Sequence, residues 1–228
     1  MLHRQHNKIM IEFIKVLQQT SLFNGIKQDD IEKILKLMHV RYVEYEKDEI
    51  IIYEGSSIND IGILLSGYGW SIKQEKSGKT SIITLLEPGS YIGILLAASK
   101  NRKSPVSVQA QEHLLVLFIP MENFISEHIK DFPKYNLLLR NFIDALAEKA
   151  MILHDRNDCL IKSTVREKIL TYLKSVSKEK DSNIFTIPFD RNGLAEHINV
   201  ERSALSRELS CMKKDNIIDY YKNSFKLL

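Results

Sequence analysis

The stretch that decides the fold is HINVERSALSRELSCMKKDNII, residues 197–218. Its apolar residues Leu205, Leu209 and Met212 have spacings of four and three, which place them on one side of a helix. Another side of that helix carries four polar residues: Arg202, Ser203, Ser206 and Arg207. Long bidentate donors beside short hydroxyls on one helix face are suited to reading base edges in a major groove. An ordinary solvated helix face has the same pattern, so the flanking residues must decide.

Those flanking residues predict a winged helix-turn-helix. FTIPF (185–189) is typical of a short strand, and Asp190 is a helix N-cap residue. Leu194, Ala195 and Ile198 are predicted to face inward, and Asn199 suits the left-handed turn that ends this helix. IIDYYKNSFKLL (217–228) predicts two strands about a turn at 222–223. The polar stripe therefore lies on the predicted recognition helix. Arg191 is a further predicted DNA contact.

The charge distribution agrees with a DNA-binding domain at this end. The chain has 228 residues and a net charge of +3. Residues 1–161 carry 19 Lys and Arg against 20 Asp and Glu, whereas residues 162–228 carry 13 against nine, a net charge of +4. A small basic domain joined to a nearly neutral one suits nucleic-acid binding.

The preceding part of the chain predicts antiparallel β-structure. Short β-rich runs follow residue 41 and are separated by turn pairs. These pairs are Lys47-Asp48, Glu54-Gly55, Ser66-Gly67, Ser77-Gly78 and Pro88-Gly89. Strands at such regular spacing favour a closed barrel or jelly roll. We therefore predict an α+β protein with a β-roll domain over 1–132, N-terminal helices included, and a winged helix-turn-helix over 162–228.

A long helix is predicted between them, over 133–161. One stripe along it alternates spacings of four and three: Tyr135, Leu139, Phe142, Leu146, Lys149, Leu153, Arg156 and Leu160. This is the heptad pattern of a coiled coil, although a helix packed on a core shows the same stripe. The position between two domains and the lack of Gly or Pro after Pro133 favour a dimerisation helix.

Taken together, the sequence resembles the Crp/Fnr superfamily of transcription regulators over nearly its whole length. YEKDEIIIYEGSSINDIGILLSGYGW (45–70) and LLEPGSYIG (85–93) are similar to its cyclic-nucleotide-binding β-roll, and residues 185–218 to its DNA-binding signature. The resemblance implies a bacterial homodimer that binds palindromic double-stranded DNA, responds to an effector and contacts RNA polymerase, as an activator or a repressor. The two cysteines give no disulfide framework, so we also predict a reducing, cytoplasmic setting.

The effector-binding stretch YIGILLAASKNRKSPVSVQA (91–110) departs from relatives that bind cyclic AMP. The resemblance implies a Gly-Glu pair, whose Glu accepts a ribose hydroxyl, and an Arg that neutralises the phosphate. Gly93 is present, but Ile94 occupies the position of the glutamate and Lys103 occupies that of the arginine. The candidate effector residues are Gly93, Ile94, Leu95, Lys103, Ser104, Leu153 and His154. We predict an effector other than cyclic AMP, or none; a cyclic-nucleotide-responsive regulator with a divergent cassette is the alternative.

Other functions have less support in the sequence. A regulatory module of an enzyme or channel would leave the winged domain unexplained, and an enzymatic barrel would need a metal-ligand or nucleophile–base constellation. We therefore predict no enzymatic activity, no cofactor, no metal and no membrane segment. A redox role for Cys159 or Cys211 stays open, since Cys159 falls at the end of the predicted dimer helix.

Overall fold

The computed structural model describes residues 12–74 and 80–228. The chain divides into two compact units, 1–149 and 150–228. The division lies within the long helix α6 (Tyr135–Leu160). The domain boundaries predicted from the sequence stay a prediction.

The first unit combines short helices with eight described strands. Residues 12–19 are helical (α1) and a 3-10 turn follows at Ser21–Phe23. The other helices before α6 are α2 (Gln28–Leu37), α3 (Ile94–Ala97), α4 (Met121–Phe124) and α5 (Glu127–Lys130). The strands are β1 (Arg41–Tyr45), β2 (Ile50–Ile52), β3 (Asp60–Ser66), β4 (Gly69–Gln74), β5 (Thr80–Leu86), β6 (Tyr91–Ile92), β7 (Ser107–Ala110) and β8 (Leu114–Pro120).

These strands form the predicted antiparallel β-roll from two four-stranded sheets. Their orders are β1-β8-β3-β6 and β2-β7-β4-β5. The central strands β3 and β8 pair from Asp60–Pro120 to Ser66–Leu115. Both are nearly continuous apolar runs, which indicates burial on both faces.

The two faces of β8 enter two different hydrophobic clusters. Leu115, Leu117 and Ile119 pack with the helices, in a cluster that includes Ile31, Ile34 and Phe124. Leu114, Val116 and Phe118 alternate with them and fill the space between the sheets. The inter-sheet cluster also contains Ile52, Ile58, Leu64, Leu86, Ile92, Val108 and Ala110. The interior of the roll is therefore lined mostly with aliphatic side chains.

Helix α6 buries one side of its first half against the first unit. Leu138, Phe142 and Ala145 are buried there, and the Phe142 ring lies 4.7 Å from that of Phe124. The stripe that contains Phe142 fits a dimerisation seam or a core helix, and at Phe142 the ring lies in the core; the dimerisation role of α6 stays a prediction. Ile143, on a different side, is 57% exposed. In the second unit, Met151, Ile152 and Leu153 of α6 are more than half exposed.

The second unit is the predicted winged helix-turn-helix. After the end of α6 it contains α7 (Val165–Glu179), β9 (Ile184–Thr186), α8 (Arg191–His197), α9 (Arg202–Lys214), β10 (Ile218–Tyr221) and β11 (Ser224–Leu227). The three strands pair antiparallel in the order β10-β11-β9. Side chains from α7, α8, α9 and the sheet share one core. The α+β prediction, with a β-roll and a winged helix-turn-helix, is confirmed.

One further property concerns membranes. Within 12–74 and 80–228, every helix is too short or too polar to cross a lipid bilayer.

Candidate nucleic-acid interface and effector site

Helix α9 has the two faces that its sequence predicts. Leu205, Leu209 and Met212 are fully buried in the core of the second unit. The predicted contact residues Arg202, Ser203, Ser206 and Arg207 are all exposed. Because four donors or acceptors share one solvent-facing stripe of a helix, α9 can offer them together to the floor of a major groove.

The helix before α9 is fixed by the cap and turn that the sequence indicates. The Asp190 carboxylate accepts a hydrogen bond from the Gly193 backbone N–H at 2.7 Å. A Cβ at Gly193 would lie only 3.2 Å from the Phe189 ring, so the close approach favours glycine here. Asn199 has φ +51°, the left-handed conformation predicted for the tight turn.

Arg191, the fifth predicted DNA contact, faces the wing. Its guanidinium lies 4.9 Å from the centre of the Tyr220 ring and 5.2 Å from that of Phe225. Desolvation by burial lowers its pKa. The structure thus separates Arg191 from the four exposed side chains of α9 by engaging it with β10 and β11.

An aromatic cluster supports the start of the helix-turn-helix. His197 stacks on Phe189 at 4.6 Å and meets the Tyr172 ring edge-on at 5.1 Å. Burial, together with the positive charge of Arg156, lowers the pKa of His197 to about 4. The pKa of Tyr172 is raised, first by burial. His197 is therefore a neutral ring that packs inside this unit at neutral pH.

Arg166, the second residue of α7, makes contacts that the sequence did not predict. Its Nε donates to Glu208 Oε1 of α9 at 2.5 Å, and its Nη2 lies 2.7 Å from Asp215 Oδ2. Both partners are more than forty residues away along the chain, so no local spacing indicates the contact.

In the first unit, the backbone conformation and the packing at position 93 require glycine. Its φ is +73°, and a Cβ there would lie 2.6 Å from Ile58 Cγ2. Left-handed geometry and close approach both demand glycine. The residue that the resemblance assigns to an effector site is thus also needed to begin α3.

The two apolar residues after Gly93 pack into the protein. Ile94 is 2% exposed and joins the cluster formed with the helices, against which Leu95 is partly buried. Ile94 carries no hydrogen-bonding group in its side chain, and its neighbours in that cluster are apolar.

The segment around Lys103 and Ser104 is hydrogen-bonded to the loop before β3. Gly55 N–H donates to the Ser104 carbonyl at 2.7 Å, and Ser104 N–H donates to that of Ser56 at 2.9 Å. The Ser104 hydroxyl is buried and donates to the Val106 carbonyl at 2.7 Å. Arg102 Nη1 donates to Asn59 Oδ1 at 2.9 Å, while Lys103 is exposed.

The remaining candidate effector residues, Leu153 and His154, belong to the second unit. Both are exposed, and His154 Nε2 lies 3.6 Å from Asp158 Oδ2.

The two cysteines differ in burial. Cys159 is buried, and its thiol donates to the Lys168 carbonyl at 3.2 Å. Burial raises the pKa of Cys159, which disfavours the reactive thiolate. Cys211 is exposed on α9.

Comparison with known families matches residues 42–129 to the cyclic nucleotide-binding domain. A sequence relative is the transcriptional activator protein FnrL of Cereibacter sphaeroides. It is 23% identical over 202 residues, which cover 83% of this chain and 77% of that protein.

Solved structures share the fold. The c-di-GMP responsive global regulator CLP of Xanthomonas campestris has a TM-score of 0.63 at 16% identity, covering 88% of this chain and 99% of its own. FixK2 of Bradyrhizobium japonicum has a TM-score of 0.59 at 17% identity, covering 82% and 92% respectively.

Proposed function

We propose that this chain is a transcription regulator of the Crp/Fnr superfamily and that it binds DNA sequence-specifically through α9. Arg202 and Arg207 would contact guanine edges, with Ser203 and Ser206 as adaptable partners beside them. The carrying observation is the exposure of these four residues on a helix whose opposite side is fully buried.

We further propose that the protein acts as a homodimer through α6. Four large apolar side chains of that helix are more than half exposed: Ile143, Met151, Ile152 and Leu153. Successive residues of a helix lie about 100° apart, so pairing two copies along α6 would remove part of this apolar surface from water. Two recognition helices would then meet half-sites about one DNA turn apart, roughly 34 Å.

The proposed effector is not cyclic AMP. Ile94 has no acceptor for a ribose hydroxyl, and the Ser104 hydroxyl already donates to Val106. Leaving a ribose hydroxyl desolvated costs on the order of 1–3 kcal/mol. A less polar ligand, or no ligand at all, agrees better with the aliphatic interior of the roll.

A selection experiment tests the DNA-binding proposal. Duplexes that bind the 228-residue chain are enriched from a random library and sequenced. We expect two inverted half-sites whose centres lie about 10 base pairs apart. Enrichment of no common sequence would overturn the proposal, and a single half-site would overturn the homodimeric arrangement.

A second experiment tests dimerisation. Changing Leu153 to Asp places like charges in the proposed interface, whereas Asp at the exposed position Lys174 of α7 is the control. We expect the first variant to be monomeric by light scattering and the second to keep the wild-type mass. A dimeric Leu153→Asp variant would move the interface away from this part of α6.

A further inference from the structure

Helix α9 is held at two points by a single side chain of α7. Arg166 Nε contacts Glu208 Oε1 at 2.5 Å, and Arg166 Nη2 contacts Asp215 Oδ2 at 2.7 Å. The two acids are seven residues apart, which is roughly 10 Å along a helix axis. A planar guanidinium that bridges two such points restricts both the rotation and the sliding of α9.

The first turn of α7, which carries Arg166, is itself held by hydrogen bonds. Thr164 Oγ1 accepts the Glu167 N–H at 3.1 Å, and Glu167 Oε2 accepts the Thr164 N–H at 3.1 Å. This capping box holds the first turn of α7 and engages the carboxylate of Glu167, the residue that follows Arg166 in the chain.

A second contact from the same turn holds the segment before α9. Lys168 Nζ donates to the Asn199 carbonyl at 3.3 Å. Asn199 is the left-handed residue of the tight turn. The start of α7 therefore contacts the turn, the middle and the end of the helix-turn-helix.

From this geometry we infer that Arg166 is a positioning residue for sequence reading: it sets the pose of α9, so that Arg202 and Arg207 meet the correct base edges. The inference rests on the proposed DNA-binding function. Arg166 is expected to act through Glu208 and Asp215, without touching a base. A phosphate contact by Arg166 is the competing role, which the variants below distinguish.

The test compares a selected duplex with a scrambled duplex of equal length at one salt concentration, by fluorescence anisotropy. Arg166→Lys retains the positive charge but not the two-point fork. We expect it to weaken binding to the selected duplex about tenfold and to the scrambled duplex less than twofold. The control is Lys174→Ala, which removes an exposed charge from the same helix and should leave the ratio of the two affinities unchanged.

The Glu208→Gln variant weakens the same ion pair with Arg166 from the α9 side. Loss of an acid raises electrostatic affinity for any DNA, so the scrambled duplex should bind more tightly. The inference nevertheless predicts a lower ratio of selected to scrambled affinity. This variant also serves if Arg166→Lys does not fold, which circular dichroism checks.

The outcomes separate the two proposals. A wild-type protein that does not distinguish the duplexes overturns the DNA-reading function, and the inference with it. A wild-type protein that does distinguish them, with Arg166→Lys and Glu208→Gln keeping its ratio, overturns the positioning role alone. Equal losses on both duplexes in Arg166→Ala, with the ratio kept in Glu208→Gln, would assign Arg166 to phosphate contact.

Discussion

Helix α9 and the segment after Gly93 each place a serine beside a cation, but the two regions use them differently. On α9, Ser206 and Arg207 are both exposed, and the hydrophobic residues of the helix lie on the other side. In the first unit, Lys103 is exposed, whereas Ser104 is only 4% exposed and its hydroxyl donates to a backbone carbonyl.

The difference lies in what holds each backbone. A helix satisfies its own main-chain groups, so its polar stripe stays available for a partner. The irregular segment around Ser104 satisfies its main chain through Gly55 and Ser56, and its serine completes a local turn. The same residue types thus form an open surface in one unit and an internal connection in the other.

The largest expected effect tests whether Gly93 is required by the fold. Gly93→Ala should lower the free energy of unfolding by about 2–4 kcal/mol, because left-handed strain adds to a clash with Ile58. Urea unfolding followed by the fluorescence of Trp70, the only tryptophan, reports on the first unit.

Gly89→Ala is the matched control for that experiment. Gly89 also has a positive φ, of +92°, but its Cβ would meet only Thr20 Cγ2 at 3.8 Å. The difference between the two variants should be about 1–3 kcal/mol, the cost of overpacking against Ile58. Equal losses would show that the close approach at Gly93 contributes nothing.

The next expected effect is a loss of stability of the second unit at acid pH, caused by His197. The pKa of His197 is about 4 in the folded chain and about 6.5 when unfolded, so acid protonates the unfolded state first. Its contribution to stability is therefore complete above pH 6.5 and is lost as the pH falls towards 4, by about 2–3 kcal/mol.

His197→Phe preserves an aromatic ring against Phe189 and removes the ionisable nitrogens. Hydrogen exchange of amides in α8 and α9 between pH 6.5 and 4 measures the stability of this unit. We expect a smaller loss with acid in the variant. An identical pH dependence would assign the loss to other groups.

A substitution at Arg207 tests whether the exposed polar stripe of α9 reads DNA sequence. Arg207→Ala should weaken binding to the selected duplex by about 1–3 kcal/mol and change binding to a scrambled duplex much less. Lys174→Ala, which removes the same charge from α7, is the control. Equal losses on both duplexes would make Arg207 a phosphate contact and leave the sequence readout to its neighbours.

The smallest expected effects are those of alanine substitutions at two serines, Ser104 in the first unit and Ser206 on α9. Ser104→Ala should lower stability by about 0.5–1.5 kcal/mol through its lost hydrogen bond and leave DNA affinity unchanged. Ser206→Ala should weaken binding to the selected duplex and leave hydrogen exchange of amides in α8 and α9 unchanged. Reversed results would remove the distinction between the two regions.

The features that the sequence predicted are those set by local spacing. The faces of α9, the Asp190 cap and the left-handed Asn199 each depend on residues within one or two helical turns. The alternation of turns and apolar runs likewise predicted a β-roll.

What the sequence could not decide depends on distant partners. The stripe along α6 fits a dimer seam and a core equally, and only contact with Phe124 places Phe142 in the core. The demand for glycine at position 93 comes from Ile58, and the role of Arg191 from the wing aromatics. The predicted DNA contacts and effector residues stay predictions, because binding has to be measured.

One measurement tests the contrast most directly: the affinity of the 228-residue chain for its selected duplex, with and without saturating cyclic AMP. An open α9 and a β-roll that does not bind this nucleotide predict specific binding whose dissociation constant changes by less than about twofold. Tightening by about tenfold, equivalent to 1.4 kcal/mol of coupling, would contradict the account and assign cyclic AMP to a divergent cassette.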